Sequence, residues 1–550
     1  MIFSRRFAVE MPEKGVYMRK ADKHGYVHYV TRTYRNEKGQ PTNDSIIIGK
    51  FDRATGLLIP NENYYAHYAT ESPEIPAESV LFSAESSDTD VDVVVEEFEV
   101  INPGIDFAVT QILEELGVSE KLSVAFGGET AQKIEAAAKH MIGSGNVFEY
   151  CEDWCKNHLF SDKFLTSQSA SRLFERISEA ECFSFFKLWV KTFDSEDYIA
   201  YDVTSFSTYS TGIMDAERGY NRDGEKLPQI NLGSYFAEKS GLPMFYTTYQ
   251  GSITDKSMLP SMMAYNADLG IENVKFVMDK GFCSQANLKY MDGRYSFITS
   301  VYNNNKSVKS AISEVSGRVN SMKNRVSENV YAECLNGEYY GISANLHIFF
   351  NPIVREEQRN ILERKIQIAE EKLQGLSQIT KAEIREYGKY FTIDLHENDG
   401  FSFVRDYEKI EEIAEYNGFF CLLTDLKLTS KEVLDIYRRK EVIENSFDDI
   451  KNSIDMKRLR TCSDDTTKGK IFCAFIALIV LSEIDNRLRK YNAENKTRLT
   501  KSFVLHQLDK IRLLTVSSSK RLLCPLAKST RTALDSLSIS HDSLLSFLSS

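Results

Sequence analysis

The chain has 550 residues, of which 42% are hydrophobic, and 67 lysines and arginines against 79 aspartates and glutamates give a net charge of −12. That length suits roughly three or four domains with sizeable cores, so a globular protein is expected. No run reaches ~18 uncharged apolar residues, the start "MIFSRRFAVEMPEK" lacks a cleavable apolar region, and nine cysteines without a C-x-x-C pair argue against a disulfide framework. The expectation is a cytoplasmic protein with no membrane partner.

The mean charge hides an uneven distribution. Residues 1–53 carry 11 Lys/Arg against 6 Asp/Glu, residues 54–120 carry 15 acids and no Lys or Arg, and residues 451–525 carry 16 cations against 7 acids. Two basic regions thus flank an acidic one, which is compatible with DNA binding despite the negative total.

In chain order, "YVHYVTRTYRNEKGQPTNDSIIIGKFD" alternates apolar and polar residues around a turn and predicts a β-hairpin within a basic β-rich N-terminal module, residues 1–70. The Pro-, Ser- and acid-rich stretch that follows predicts an acidic linker over 71–103. From 104 to 195 the periodicity becomes helical and predicts a helical domain. Within it "CEDWCKNH" places Cys151, Cys155 and His158 on one helical face, where a soft metal and a buried face are the two readings; no fourth ligand is evident and burial is favoured.

Residues 196–302 read as strands, "YIAYDVTSFSTY", "QINLGSYFA", "MFYTTYQGSI", "NVKFVMDKGF" and "YSFITSVY", with a helix after the third. The stretch 303–416 mixes strands with a charged helix, "REEQRNILERKIQIAEEKL", and predicts an inserted domain. "NGFFCLLTD" returns to the sheet over 417–485. Then "TSKEVLDIYRRKEVIENSF" opens a helix with Thr429 as N-cap and Glu432 three residues on, a capping box. The apolar "IFCAFIALIVLSEI" predicts a buried helix, and 486–550 a basic helical C-terminal region.

Three acids stand out by context. Asp202 lies in an apolar strand, where an unpaired carboxylate is costly; Asp279 ends the apolar run "VKFVM", where a strand opens into a loop; Glu444 lies on the capped helix. Singly, a hydrogen-bonded strand acid, a turn former and a surface ion pair explain them. Jointly, two strand acids and a helix acid separated by an insertion suggest a carboxylate cage for hard divalent cations.

Along that helix Tyr437, Lys440, Glu444 and Lys451 follow at steps of three, four and seven. The pattern resembles the Tyr-x2-Arg-x3-Glu-x6-Lys signature of bacterial insertion-sequence DDE transposases, in which the third acid follows an inserted domain. "YDVTSFS" around Asp202 and "FVMDKGFCS" around Asp279 match the family in order. Lys440 departs from its arginine, keeping the charge and losing the bidentate fork.

The resemblance implies an α/β fold with an RNase H-like catalytic core, split over 196–302 and 417–485. It implies catalytic Asp202, Asp279 and Glu444 holding two Mg²⁺ (or Mn²⁺) ions per site. Tyr437, Lys440 and Lys451 would contact DNA phosphates; apart from the resemblance, "GYNRDGEK" (219–226) reads as a β-turn between strands, with Arg222 and Lys226 near DNA as its functional reading. The resemblance also implies a homodimer on double-stranded terminal inverted repeats and target DNA, close to the bacterial nucleoid, with the helical region binding DNA. Relatives pass through a DNA hairpin, and some hold a flipped base with an aromatic of the insertion. This insertion has no Trp, leaving Tyr302, Tyr339, Tyr340 or Phe349 for that role, against strand packing. A metal-dependent nuclease without strand transfer and a catalytically silent DNA-binding protein are the alternatives.

Overall fold

The computed structural model describes residues 9–12, 14–18, 25–35, 40–52, 56–61, 63–64, 67, 80–81, 99–160, 165–271, 274–396, 400–517 and 520–549. Most of the expected acidic linker, 71–79 and 82–98, lies outside the described residues. The chain divides into two compact units, residues 1–80 and 81–550.

The first unit is an antiparallel sheet of Val16–Met18, Tyr26–Arg35, Pro41–Asp52 and Leu57–Pro60, paired in that order. The expected hairpin is its centre, running from Tyr26 opposite Lys50 to Arg35 opposite Pro41. The alternating pattern buries Val27, Ile48 and Leu58 as a small core.

The second unit is built on a nine-stranded sheet. Its strands are β1 (Tyr198–Ser207), β2 (Gln229–Ala237), β3 (Pro243–Gln250), β4 (Lys275–Met278), β5 (Ser296–Val301), β6 (Arg325–Ser327), β7 (Val330–Tyr339), β8 (Ile342–Phe350) and β9 (Phe419–Thr424). They lie in the order β6-β7-β8-β9-β5-β4-β1-β2-β3. An antiparallel meander, β1-β2-β3, is followed by β4 parallel to β1 and β5 parallel to β4, after which β9, β8 and β7 add antiparallel. Two of the three parallel strands at the centre, β4 and β5, are short and mostly buried, whereas β1 is ten residues long and carries Asp202.

The segment expected as one insertion, 303–416, divides in two. Its β7–β8 hairpin extends the main sheet through β9, whereas Pro352–Gln374 and the hairpin Phe391–Leu395/Phe401–Arg405 enclose a separate core of Ile366, Ala369, Leu373, Tyr387 and Phe391. The heptad-like spacing of Leu362, Ile366, Ala369 and Leu373 is what turns one face of that helix inward.

Six helices between Gly104 and Trp189 form a layer with the 32-residue helix Asp464–Asn495. Residues Ile471–Leu481 of that helix are buried on every side, so its apolar run is a core feature. Gly469 is needed where the helix meets Ser167–Arg176: a Cβ there would collide with the Phe174 backbone. Cys151 and Cys155 are fully buried in this layer, and His158 stacks on Trp154 and reaches Asp509 through Nε2 at 3.1 Å. No helix among the described residues is long and apolar enough to cross a membrane.

Candidate active site

Asp202 sits mid-way along β1 and Asp279 follows the last residue of β4. Because Met278 pairs with Tyr201 in parallel register, Asp279 comes level with Asp202 one step further on. Adjoining strands are about 4.8 Å apart, so the two carboxylates are neighbours at the sheet surface. Tyr201 points the other way and is fully buried, its hydroxyl donating to the Met262 sulfur at 2.6 Å, so strand alternation turns Asp202 to the opposite face.

The signature segment lies across that face as two helices, Ser430–Arg439 and Glu441–Asp448, separated by Lys440. Thr429 and Glu432 close the expected capping box, with the Thr429 N–H donating to Glu432 at 2.8 Å. The three-residue step from Tyr437 to Lys440, about 5–6 Å between side-chain origins, matches the strand spacing beneath. Each residue meets one acid: Tyr437 donates its hydroxyl to Asp279 Oδ1 at 3.3 Å, and Lys440 Nζ lies 3.0 Å from Asp202 Oδ2. The other Asp202 oxygen accepts the Val203 N–H at 2.8 Å. Burial, and then the Asp279 carboxylate, push the Tyr437 phenol well above its ordinary value, which keeps it a donor.

Glu444 is exposed, one helical turn beyond Lys440. Among the described residues no three His, Cys, Asp or Glu side chains are gathered as a metal site, so Glu444 does not close on the two aspartates here. What the aspartates offer still suits a hard cation. Both present carboxylate oxygens, they stand side by side, and the Lys440 ammonium already occupies a cation's position on Asp202.

The remaining sequence-selected residues lie on the loop after β1 or face it. Beyond Glu444 the helix loosens into a wide turn, Asp449–Ser453, where the Ile454 N–H reaches back to the Asp449 carbonyl at 2.8 Å. Lys451, in that turn, is buried and bonds Asp223 at 2.6 Å. Arg222 bonds Asp255 at 2.8 Å, and Lys226 is exposed. Arg458 completes the anchoring with Glu225 at 2.5 Å. Asp223, Glu225, Asp255 and Arg458 were not singled out by sequence reasoning, because partners so far apart in the chain leave no periodic signal. Of the four insertion aromatics, Phe349 is fully buried against Phe420, Tyr339 is buried and Tyr340 half-buried; Tyr302 is exposed, with Lys256 and Lys280 over its ring.

The sequence profile of the family described as "Transposase DDE domain" matches residues 194–480, just over half the chain. The chain belongs to that family. The transposase domain so defined takes in both aspartates, the interposed segment, the signature helices and the start of the long helix. No curated protein matches the chain. Among solved structures, a piggyBac transposase synaptic complex with hairpin DNA, determined by cryo-EM, is similar at 9% identity over 80% of this chain and 81% of that one, with a TM-score of 0.37. That is a distant likeness from which no residue role follows.

Proposed function

We propose that this transposase is of the insertion-sequence type: it binds terminal inverted repeats and catalyses metal-dependent DNA cleavage and strand transfer, in a cut-and-paste route. The observation that carries the proposal is the signature segment laid over two level aspartates on adjoining parallel strands, Tyr437 on Asp279 and Lys440 on Asp202. The meander followed by two parallel strands supports an RNase H-like reading of the core.

In this reading Asp202, Asp279 and Glu444 hold Mg²⁺ or Mn²⁺, with Glu444 brought in by a small movement of its helix. Two such ions, when bound, activate the attacking oxygen and stabilise the leaving oxygen of a phosphodiester. Tyr437 orients Asp279 through its hydroxyl. The exposed Lys226 supplies positive charge for phosphates, Lys440, Lys451 and Arg222 do so on exchanging Asp202, Asp223 and Asp255 for DNA, and Tyr302 with Lys256 and Lys280 offers an aromatic face at the same end of the sheet. The basic N-terminal module and the helical layer recognise the terminal repeats, and two copies pair two ends.

The test is Mg²⁺-dependent cleavage of a DNA end carrying the flanking terminal repeat. Glu444→Gln is expected to lower the rate by more than about a hundredfold, beyond what loss of a group behind a metal ligand costs, while DNA binding persists. Equal rates would move the active site elsewhere. Binding without cleavage by either protein would favour a silent DNA-binding protein.

A further inference from the structure

Lys440 is 6% exposed, and the carboxylate bonded to its ammonium belongs to a proposed metal ligand. Both oxygens of that carboxylate are occupied from within the protein, Oδ1 by the Val203 N–H at 2.8 Å and Oδ2 by Lys440 at 3.0 Å. A divalent cation coordinated by Asp202 Oδ2 would sit where the ammonium now is. Two such charges side by side on one partly buried carboxylate oxygen repel, so they compete for it.

We infer that Lys440 is an internal occupant of the cation site, a positioning residue that neutralises Asp202 in the metal-free protein and has to withdraw before a divalent ion binds there. The inference rests on the reading of Asp202 as a metal ligand. Lys440 stands at a one-residue interruption with helical backbone angles: one helix stops at Arg439, the next starts at Glu441, and the Ile443 N–H closes a tight turn onto the Lys440 carbonyl at 2.9 Å. The flexible four-carbon stem allows the withdrawal without moving the helix, where an arginine would hold Asp202 through a rigid fork. Once out, the ammonium is available to an anion in the cleft. Under the proposed function that anion is a DNA phosphate, so loading of metal and loading of DNA favour each other.

The experiment measures Mn²⁺ affinity of the full chain without DNA, by electron paramagnetic resonance, for the native protein, Lys440→Met and Lys440→Arg. Lys440→Met is expected to bind Mn²⁺ at least about tenfold more tightly, because no buried ion pair has to be broken first, and Lys440→Arg no more tightly than native. A second measurement needs no variant. Acylation of Lys440 in the native chain, followed by peptide mass spectrometry, is expected to rise several-fold on adding Ca²⁺ and to stay flat with Na⁺ at equal ionic strength. Unchanged affinity in Lys440→Met, or Lys440 still protected while Ca²⁺ is bound, overturns the inference and leaves the metal-site reading standing. Absence of Mn²⁺ binding in all three proteins overturns both.

Discussion

Lys440 and Lys470 are both buried, at 6% and 3% exposure, and they are held in opposite ways. Lys440 faces the Asp202 carboxylate at the sheet. Lys470, on the long helix, has no ion-pair partner among the described residues and meets the Leu459 carbonyl at 3.0 Å, Asn146 Oδ1 at 3.4 Å and the Phe148 ring. Burial, and then Arg460, push the Lys470 ammonium down to about 7. In the helical layer a buried cation without a counter-charge is a standing cost to the fold. At the sheet the counter-charge removes that cost and occupies a carboxylate that the proposed chemistry would use. The same residue type therefore marks a packing compromise in one region and, under the proposed function, a functional constraint in the other.

The comparison breaks most directly with Asp202→Asn, which leaves Lys440 facing an amide oxygen, as Lys470 does. Removing one partner of a buried pair is expected to lower unfolding stability by about 3 kcal/mol, measured by chemical denaturation. Adding Lys440→Met to that variant should recover most of the loss, since the stranded ammonium goes with it. If Asp202→Asn is neutral, the pair is not what holds the two helices to the sheet.

Lys470 is tested by pH. Its folded value is depressed, so between about 7 and the ordinary 10.5 the unfolded chain binds more protons than the folded one. Stability attributable to this residue therefore rises with pH across that window, by up to about 1.4 kcal/mol per pH unit. Denaturation midpoints of native and Lys470→Met proteins should converge as pH rises through the window. Parallel curves would mean that Lys470 is solvated.

Smaller effects sharpen the contrast between the two regions. Gly469→Ala forces a methyl into the Phe174 backbone and should cost about 1–3 kcal/mol by thermal unfolding, with no change in Mn²⁺ affinity. Thr429→Ala removes the cap of the signature helix and should cost about 1 kcal/mol. Because that helix carries Tyr437 and ends against Lys440, this cap variant should also disturb metal binding, which Gly469→Ala does not.

Much of the site was legible before any coordinates. The capping box at Thr429, the strand around Asp202 and the apolar run ending at Asp279 are local patterns, written in adjacent residues whose spacing follows helix and strand geometry. The step from Tyr437 to Lys440 was legible as a shared helical face, but not as a match to two neighbouring strands. A step of seven from Glu444 predicts Lys451 on the same helical face; the wide turn at Asp449–Ser453 takes it to Asp223 instead, and one residue added to a helical turn leaves no trace in composition.

The sequence by itself determined the family and much of the order of elements, and it singled out Asp202, Asp279 and Glu444 as candidates, because those depend on periodicity, turn chemistry and motif spacing along one dimension; the strands Leu513–Ser517 and Lys520–Leu523, inside the region expected to be helical, escaped it. Only the tertiary structure decided that the β7–β8 hairpin belongs to the main sheet, that Arg222, Lys451 and Arg458 anchor the loop after β1, and that Lys440 rests on Asp202. Each of these joins residues distant in the chain. Such pairings are chosen by burial and charge balance in three dimensions, to which no local pattern is sensitive.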